Sequence, residues 1–249
     1  MVTEKYIHVG EHELLYLGRI NDLAVHSHLT WTLCFALDTN FQYSSSVESL
    51  TTKNPILIPP NLKHKIEAKG SFMVFIFFEK YSTYVNCDWN KKNVILQDWN
   101  VLNDLKFELF NLLYSKNKAN HKIGHLLQNL QIPIQRKKNI DLRISKVLKL
   151  IALNDLEKES SLKELANSVS LSESRLSHLF KQEMGLPISS YKIWMKIKKL
   201  SISLKKNKNL TFAAQESGFF DSSHLNRVFK SYFGINPKNI FTNSIIHWI

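Results

Sequence analysis

LTFAAQESGFFDSSHLNRVFKSYFGINP, residues Leu210 to Pro237, is the stretch on which the reading of this chain turns. In its second half Leu225, Val228, Phe229, Tyr232 and Phe233 fall at i, i+3, i+4, i+7 and i+8, one apolar stripe of an α-helix. Ser222, Ser223, Asn226, Arg227 and Lys230 share the opposite side, so the helix has one face to bury and one face to present. Asp221 stands where a carboxylate accepts from the first free N–H groups, and Gly234 where a left-handed residue ends a helix. Upstream, Leu210, Ala213, Ala214 and Ser217 predict a short amphipathic helix, and Gly218 supplies a tight turn. Helix, glycine turn and capped helix make a helix-turn-helix plan.

The plan occurs twice. Sliding Leu162–Gly185 by 49 residues sets Ser172 on Asp221, Leu176 on Leu225, Phe180 on Phe229, Lys181 on Lys230 and Gly185 on Gly234. Ser161-Leu162-Lys163-Glu164 is a capping box opening the first unit. Ile144, Val147, Leu148 and Ile151 predict a helix before it, and Ile188–Leu204 a long lysine-rich helix joining the units.

Charge follows the same division. Residues 136–249 hold 20 Lys+Arg against 9 Asp+Glu, whereas residues 1–135 hold 13 against 12, so nearly all of the net charge of +12 lies with the repeat. A basic module beside a neutral one points to a polyanion partner for the first. With 249 residues the chain has room for two domains. The longest apolar run, Phe72–Phe78, is too short to cross a bilayer, and the N-terminus lacks a secretion-signal layout, so a soluble, cytoplasmic protein is expected, with no membrane partner. Cys34 and Cys87 are too few for a disulfide framework and are read as thiols.

Residues 1–85 predict an antiparallel β module. Leu14–Leu17, Trp31–Leu37, Pro55–Pro59 and Phe72–Phe78 are short apolar runs separated by turn formers such as Pro59-Pro60-Asn61 and Lys69-Gly70-Ser71. From about residue 100 the period becomes helical, with Leu105, Leu109 and Leu112 on one stripe, and His121–Leu130 predicts a second helix; the two either close the β module or form a dimer seam. Ile132-Pro133-Ile134 and the charged run Gln135–Asn139 mark a boundary.

The last part of the chain resembles the AraC/XylS-type transcription regulators, on Leu171–Pro187 (LSESRLSHLFKQEMGLP) and on Gly218–Pro237 with Leu210 and Ala214. The N-terminal part is similar to that family's cupin-like effector domain, on the His26/His28 pair and on NPILIPPNLKH, Asn54–His64. The resemblance implies a two-domain α+β protein. Residues 1–132 would be a cupin-like effector and dimerisation domain (antiparallel barrel about 1–85, helices about 100–131), 133–139 a linker, and 140–249 an all-α DNA-binding domain of seven helices. Two recognition helices would enter successive major-groove segments of double-stranded DNA, about 34 Å apart.

Matched positions nominate Glu173, Ser174, Ser177 and His178 for base edges in the first unit, with Arg175 and Lys181 near phosphates. In the second they nominate Ser222, Ser223, Asn226 and Arg227, with Lys230 on the backbone. Arg227 can address guanine through two bonds, or a phosphate; Asn226 can pair adenine. Lysines 196, 198, 199, 205, 206 and 208 offer further phosphate contacts, several rather than all. The sequence departs from the family at His178 and Lys196, often arginine, at Leu200, often alanine, and at Ala213, often isoleucine.

For an effector, a barrel mouth nominates Arg19, His28, Trp31, Phe35, Tyr43 and His64. His26, His28 and His64 are also the candidate metal ligands, since three neutral imidazoles can hold zinc or iron. The metal-binding cupins add a glutamate, which is missing here at the usual spacing, and Asn61 replaces a turn glycine. No cofactor, no resident metal and no enzymatic activity are expected. The expected function is a sequence-specific, activator-type bacterial regulator controlled through a small-molecule effector or a homodimer, with RNA polymerase as a further partner. A cupin-type metalloenzyme fused to a DNA-binding domain, and a nucleoid-type protein of low sequence preference, stay open beside it.

Overall fold

The computed structural model describes residues 3–10, 12–79, 95–96, 103–114, 140–153, 160–242 and 244–248. Its strands are β1 (Thr3–Val9), β2 (Glu13–Arg19), β3 (Leu23–His26), β4 (Trp31–Ala36), β5 (Phe41–Ser45), β6 (Ser49–Thr52), β7 (Ile56–Ile58), β8 (His64–Glu67), β9 (Phe72–Phe78), β10 (Ile95–Leu96) and β11 (Ser244–Trp248). The helices are α1 (Asn103–Tyr114), α2 (Leu142–Leu153), α3 (Leu162–Ser168), α4 (Glu173–Met184), α5 (Ile188–Lys206), α6 (Leu210–Glu216), α7 (Ser222–Phe233) and α8 (Pro237–Phe241). The chain falls into two compact units, Met1–Arg136 with Asn226–Ile249, and Lys137–Leu225. The expected helix at His121–Leu130, the linker at 133–139 and Cys87 lie outside the described residues.

The first unit is β-rich. A seven-stranded sheet runs β10-β7-β4-β9-β2-β1-β11, and a four-stranded sheet runs β3-β8-β5-β6. β9 lies at the centre of the large sheet, antiparallel to β2 on one side and β4 on the other, with Ile76 opposite both Leu15 and Leu33. Its continuous run FMVFIFF follows from burial on both faces. One face supplies Trp31, Leu33, Phe35, Leu15, Leu17, Val74, Ile76 and Phe78 to a core closed by Leu105 and Leu109 of α1. From the other face Phe75 and Phe77 meet the ring of His28.

The helical half holds to Phe241, but Ser244–Trp248 is strand rather than helix, and pairs in parallel with β1 from Thr3↔Ser244 to Ile7↔Trp248. Branched and aromatic Ile245, Ile246 and Trp248 suit a strand once an open edge is offered. Buried Lys5 fastens the same segment, its ammonium donating to the carbonyls of Asn239 and Ile240.

The second unit is helical. Ile144, Val147 and Ile151 of α2, Leu176, Phe180 and Met184 of α4, and Tyr191, Trp194 and Ile197 of α5 are among its buried residues. Ser161 and Glu164 form the expected capping box. α4 and α7 begin and end 49 residues apart, at Glu173 and Ser222 and at Met184 and Phe233, matching the sequence repeat at both ends. Gly185 and Gly234 close them at φ +77° and +69°. The turn before α7 uses Gly218 at φ +80°, whereas the first unit places Ser170 in the left-handed region at φ +55°. Ser172 accepts from the Arg175 N–H at 3.2 Å, and Asp221 from the His224 N–H at 2.6 Å. Asp221→Ala is expected to cost about 1 kcal/mol of stability, read as a lower denaturant midpoint at unchanged slope.

Candidate functional site

Both capped helices present one exposed face. On α4, Glu173, Ser174, Arg175, His178 and Lys181 are exposed and Ser177 is half-buried; on α7, Ser222, Ser223, Arg227 and Lys230 are exposed and Asn226 is half-buried. The buried stripes, Leu176, Phe180 and Met184 on α4 and Leu225 and Phe229 on α7, set these orientations. Arg227 makes no ion pair or hydrogen bond among the described residues. The two acids nearest to it in sequence are occupied: Asp221 caps α7, and the Glu216 carboxylate accepts from the Ser203 hydroxyl. On α5, Lys205 and Lys206 are exposed, as is Lys208 beyond it, while Lys198 is 6% exposed. Lys198 shares the inward stripe with Trp194, Ile197 and Ser201, which removes it from the residues available to a phosphate.

The effector candidates separate. Trp31 and Phe35 are fully buried in the core under α1, because alternation on β4 puts them with Leu33 on the face turned away from the small sheet. His28, Tyr43 and His64 come together instead, with Tyr43 stacked on His64 at 5.5 Å between ring centroids. Burial pushes the Tyr43 hydroxyl up to about 12.

His26 joins that group, since it stands opposite His64 in the β3–β8 ladder. The three histidines are 3%, 1% and 1% exposed, and one ring nitrogen of each lies within 4.8 Å of the others. His26 Nε2 and His28 Nε2 are 3.0 Å apart. Burial holds all three neutral: His26 is pushed down to about 3, with His64 adding to the effect, His64 down to about 4, and His28 well below the usual imidazole range. Asn61, which stands in place of a glycine, adopts φ +62° and donates its N–H to the His28 carbonyl at 2.8 Å, so the substitution keeps the turn.

Arg19 is elsewhere, over the Phe72 ring at 4.1 Å and hydrogen-bonded to Asp38 at 3.1 Å and the Gly70 carbonyl at 2.7 Å. It lines a cavity of about 660 Å³ in the first unit, with Lys5, Asp22, Lys230, Asn236 and Lys238. Sequence reasoning missed Lys5, Asn236 and Lys238 because strand β1 and the end of the chain meet only in the folded unit. Among the described residues, no helix is long and apolar enough to cross a membrane.

Comparison with known proteins fits this geometry. A family model described as a helix-turn-helix domain matches residues 165–243. The arabinose operon regulatory proteins of Escherichia coli and Salmonella typhimurium are each 28% identical over 100 residues, 40% of this chain. The match covers 34% and 36% of their own lengths, so the chain spans about a third of the curated relatives it matches. Among solved structures, ToxT from Vibrio cholerae aligns over 94% of this chain and 99% of its own at a TM-score of 0.59 and 12% identity. A structure of wild-type ToxT with unsaturated fatty acid bound aligns over 95% and 98% at 0.59 and 15%. Residues 165–243 of this chain therefore form a helix-turn-helix domain, behind a β-rich N-terminal half, and the chain shares the fold of ToxT.

Proposed function

We propose that the protein is a sequence-specific, DNA-binding transcription regulator of the activator type. It acts by binding rather than catalysis, and its grip on DNA is modulated through the N-terminal residues. The observation that carries this reading is the pair of equal twelve-residue helices, α4 and α7, each capped, each closed by a left-handed glycine, each exposing a polar and basic face. One helix fills a major groove, and a second in the same chain meets the next segment, so the chain needs no twofold partner to read two segments. Glu173, Ser174, Ser177 and His178 on α4, and Ser222, Ser223, Asn226 and Arg227 on α7, are the base-facing set. Arg175, Lys181 and Lys230 are the phosphate-facing set. Small Ser222 and Ser223 leave part of the selectivity to DNA shape.

Control by an effector is supported by the cavity. Arg19, Lys230 and Lys238 give it a cationic rim, which suits a small anion such as a carboxylate, and the structurally similar ToxT has been described with an unsaturated fatty acid bound. Because Lys230 belongs to α7, an effector held there touches the recognition helix itself. A residue range of 1–132 for the effector domain and 140–249 for the DNA-binding domain belongs to the same proposal, as do a homodimer and contact with RNA polymerase.

Selection of bound duplexes from a random DNA pool tests the central claim. The expected result is an enriched sequence long enough for two groove segments; equal binding of selected and random duplexes at physiological salt would make the protein a nucleoid-type binder. Arg227→Ala is expected to weaken the preferred duplex by about 1–3 kcal/mol and to relax one base position. A uniform loss across all sequences would assign Arg227 to phosphate instead.

A further inference from the structure

We propose that His26, His28 and His64 form a binding site for one divalent transition-metal ion of the zinc class, and that filling it sets the seat on which the end of α7 rests. The second half of this inference rests on the DNA-binding reading; the first does not.

The donor set fits such an ion. His26 and His64 each place Nδ1 at 2.8 Å from a backbone carbonyl, of Ala24 and Leu62 respectively. A carbonyl only accepts, so both rings carry their proton on Nδ1 and turn a bare Nε2 lone pair inward. This pairing of a ring N–H with a carbonyl is how metal-bound imidazoles are oriented. The inward Nε2 of His64 is buried and has no hydrogen-bond partner. An unmet polar atom in a packed interior costs free energy, which a cation accepting the lone pair recovers. Tetrahedral zinc at about 2.0–2.1 Å from each nitrogen asks for about 3.3 Å between nitrogens. The His26–His28 pair stands at 3.0 Å and all three donors lie within 4.8 Å, so small side-chain rotations close the set. Three neutral imidazoles and no carboxylate, among the described residues, favour zinc-class over hard cations and leave a fourth position to water or an anion.

The link to α7 is short and continuous. His26 Nδ1 donates to Ala24 O; the Ala24 N–H donates to Gly234 O at 2.8 Å; the Gly234 N–H donates to Lys230 O at 2.9 Å, inside α7. The Ser27 N–H donates to Ser231 O at 3.3 Å, and Phe233 packs edge-on against Phe77, which itself packs edge-on against His28. A Cβ on Gly234 would lie 2.6 Å from His26 Nδ1, so the helix end and the histidine ring share one wall. An ion that locks the three rings therefore favours one position of β3, and with it one seating of the helix that carries Asn226 and Arg227. Reciprocity requires that DNA alter metal affinity by the same factor.

The test uses the full chain stripped by a chelator and titrated with Co²⁺, then Zn²⁺, alone and with the selected duplex. Expected are one equivalent of Co²⁺ with the visible absorption of a four-coordinate site, its displacement by one equivalent of Zn²⁺, and a change in DNA affinity of about tenfold on metal addition. His64→Gln should remove the band and the metal effect on DNA. Should that variant not fold, the wild-type titration still decides. No cobalt band and no thermal shift with zinc would overturn the site. A filled site with unchanged DNA affinity would overturn the coupling. Absence of DNA binding with and without metal would overturn the regulator reading, and the coupling with it, while the titration still reports the site.

Discussion

Phe180→Ala is expected to lower the stability of the helical unit by about 3–5 kcal/mol, the cost of deleting a fully buried aromatic and leaving a cavity. Phe180 is 0% exposed, on the inner stripe of α4 between Leu176 and Met184, and its ring meets Tyr191 of α5 edge-on at 5.7 Å. It holds α4 against α5, so the loss falls on the orientation of Ser174, Ser177 and His178 as much as on stability. A domain of this size has about 5–15 kcal/mol to lose, and the unit should therefore be partly unfolded at physiological temperature. Chemical denaturation followed by far-ultraviolet circular dichroism checks it. A change below about 1 kcal/mol, within the range of ordinary surface substitutions and small core adjustments, would mean that Phe180 is not the keystone of α4. The β-rich unit supplies an internal reference: its core around Trp31, Leu33 and Phe35 is separate from Phe180, and its own transition should be unchanged.

Gly234→Ala is expected to cost about 2–4 kcal/mol, more than its left-handed backbone alone explains. An L-residue in that region costs about 1–2 kcal/mol, and Gly234 sits at φ +69°. Beyond that, the new Cβ would stand 2.6 Å from Ala24 O and from His26 Nδ1, and 3.0 Å from Leu23 Cβ. Two of these neighbours are the backbone and Cβ of β3, which move only if the strand moves. Gly218→Ala is the control, since at φ +80° it carries the same backbone cost while its nearest neighbour is the flexible end of Lys196 at 3.4 Å. The difference between the two losses of unfolding free energy, each read on the transition of its own unit, isolates the contact of Gly234 with β3. Equal losses would show that the contact contributes nothing.

The helices were legible because their signals are local. Caps at Ser161, Ser172 and Asp221, stripes at i, i+3 and i+4, and glycines at 185, 218 and 234 all lie within a few residues of what they determine. The strands were legible only where burial on both faces makes a continuous apolar run, as in β2, β4, β7 and β9. Polar β5, β6 and β8, with QYSS, SLTT and HKIE in them, carry little such signal; they are strands because neighbours pair with them. β11 has strand-favouring residues, but its partner β1 lies at the other end of the chain, so the pairing could not be read locally.

The candidate sites divide the same way. Exposed faces of α4 and α7 follow from periodicity, and the two-residue spacing of His26 and His28 marks a pair. That His64 completes the pair, that Trp31 and Phe35 turn away from it, and that Lys198 is buried are consequences of register and packing. By itself the sequence determined a tandem of capped helices with a basic presenting face, because helix formation and termination are short-range events. Only the tertiary structure decided that the second of those helices ends on the strand that carries His26. That junction rests on hydrogen bonds and a missing Cβ between residues more than two hundred apart, Ala24 and Gly234, and chain-local preferences do not reach so far.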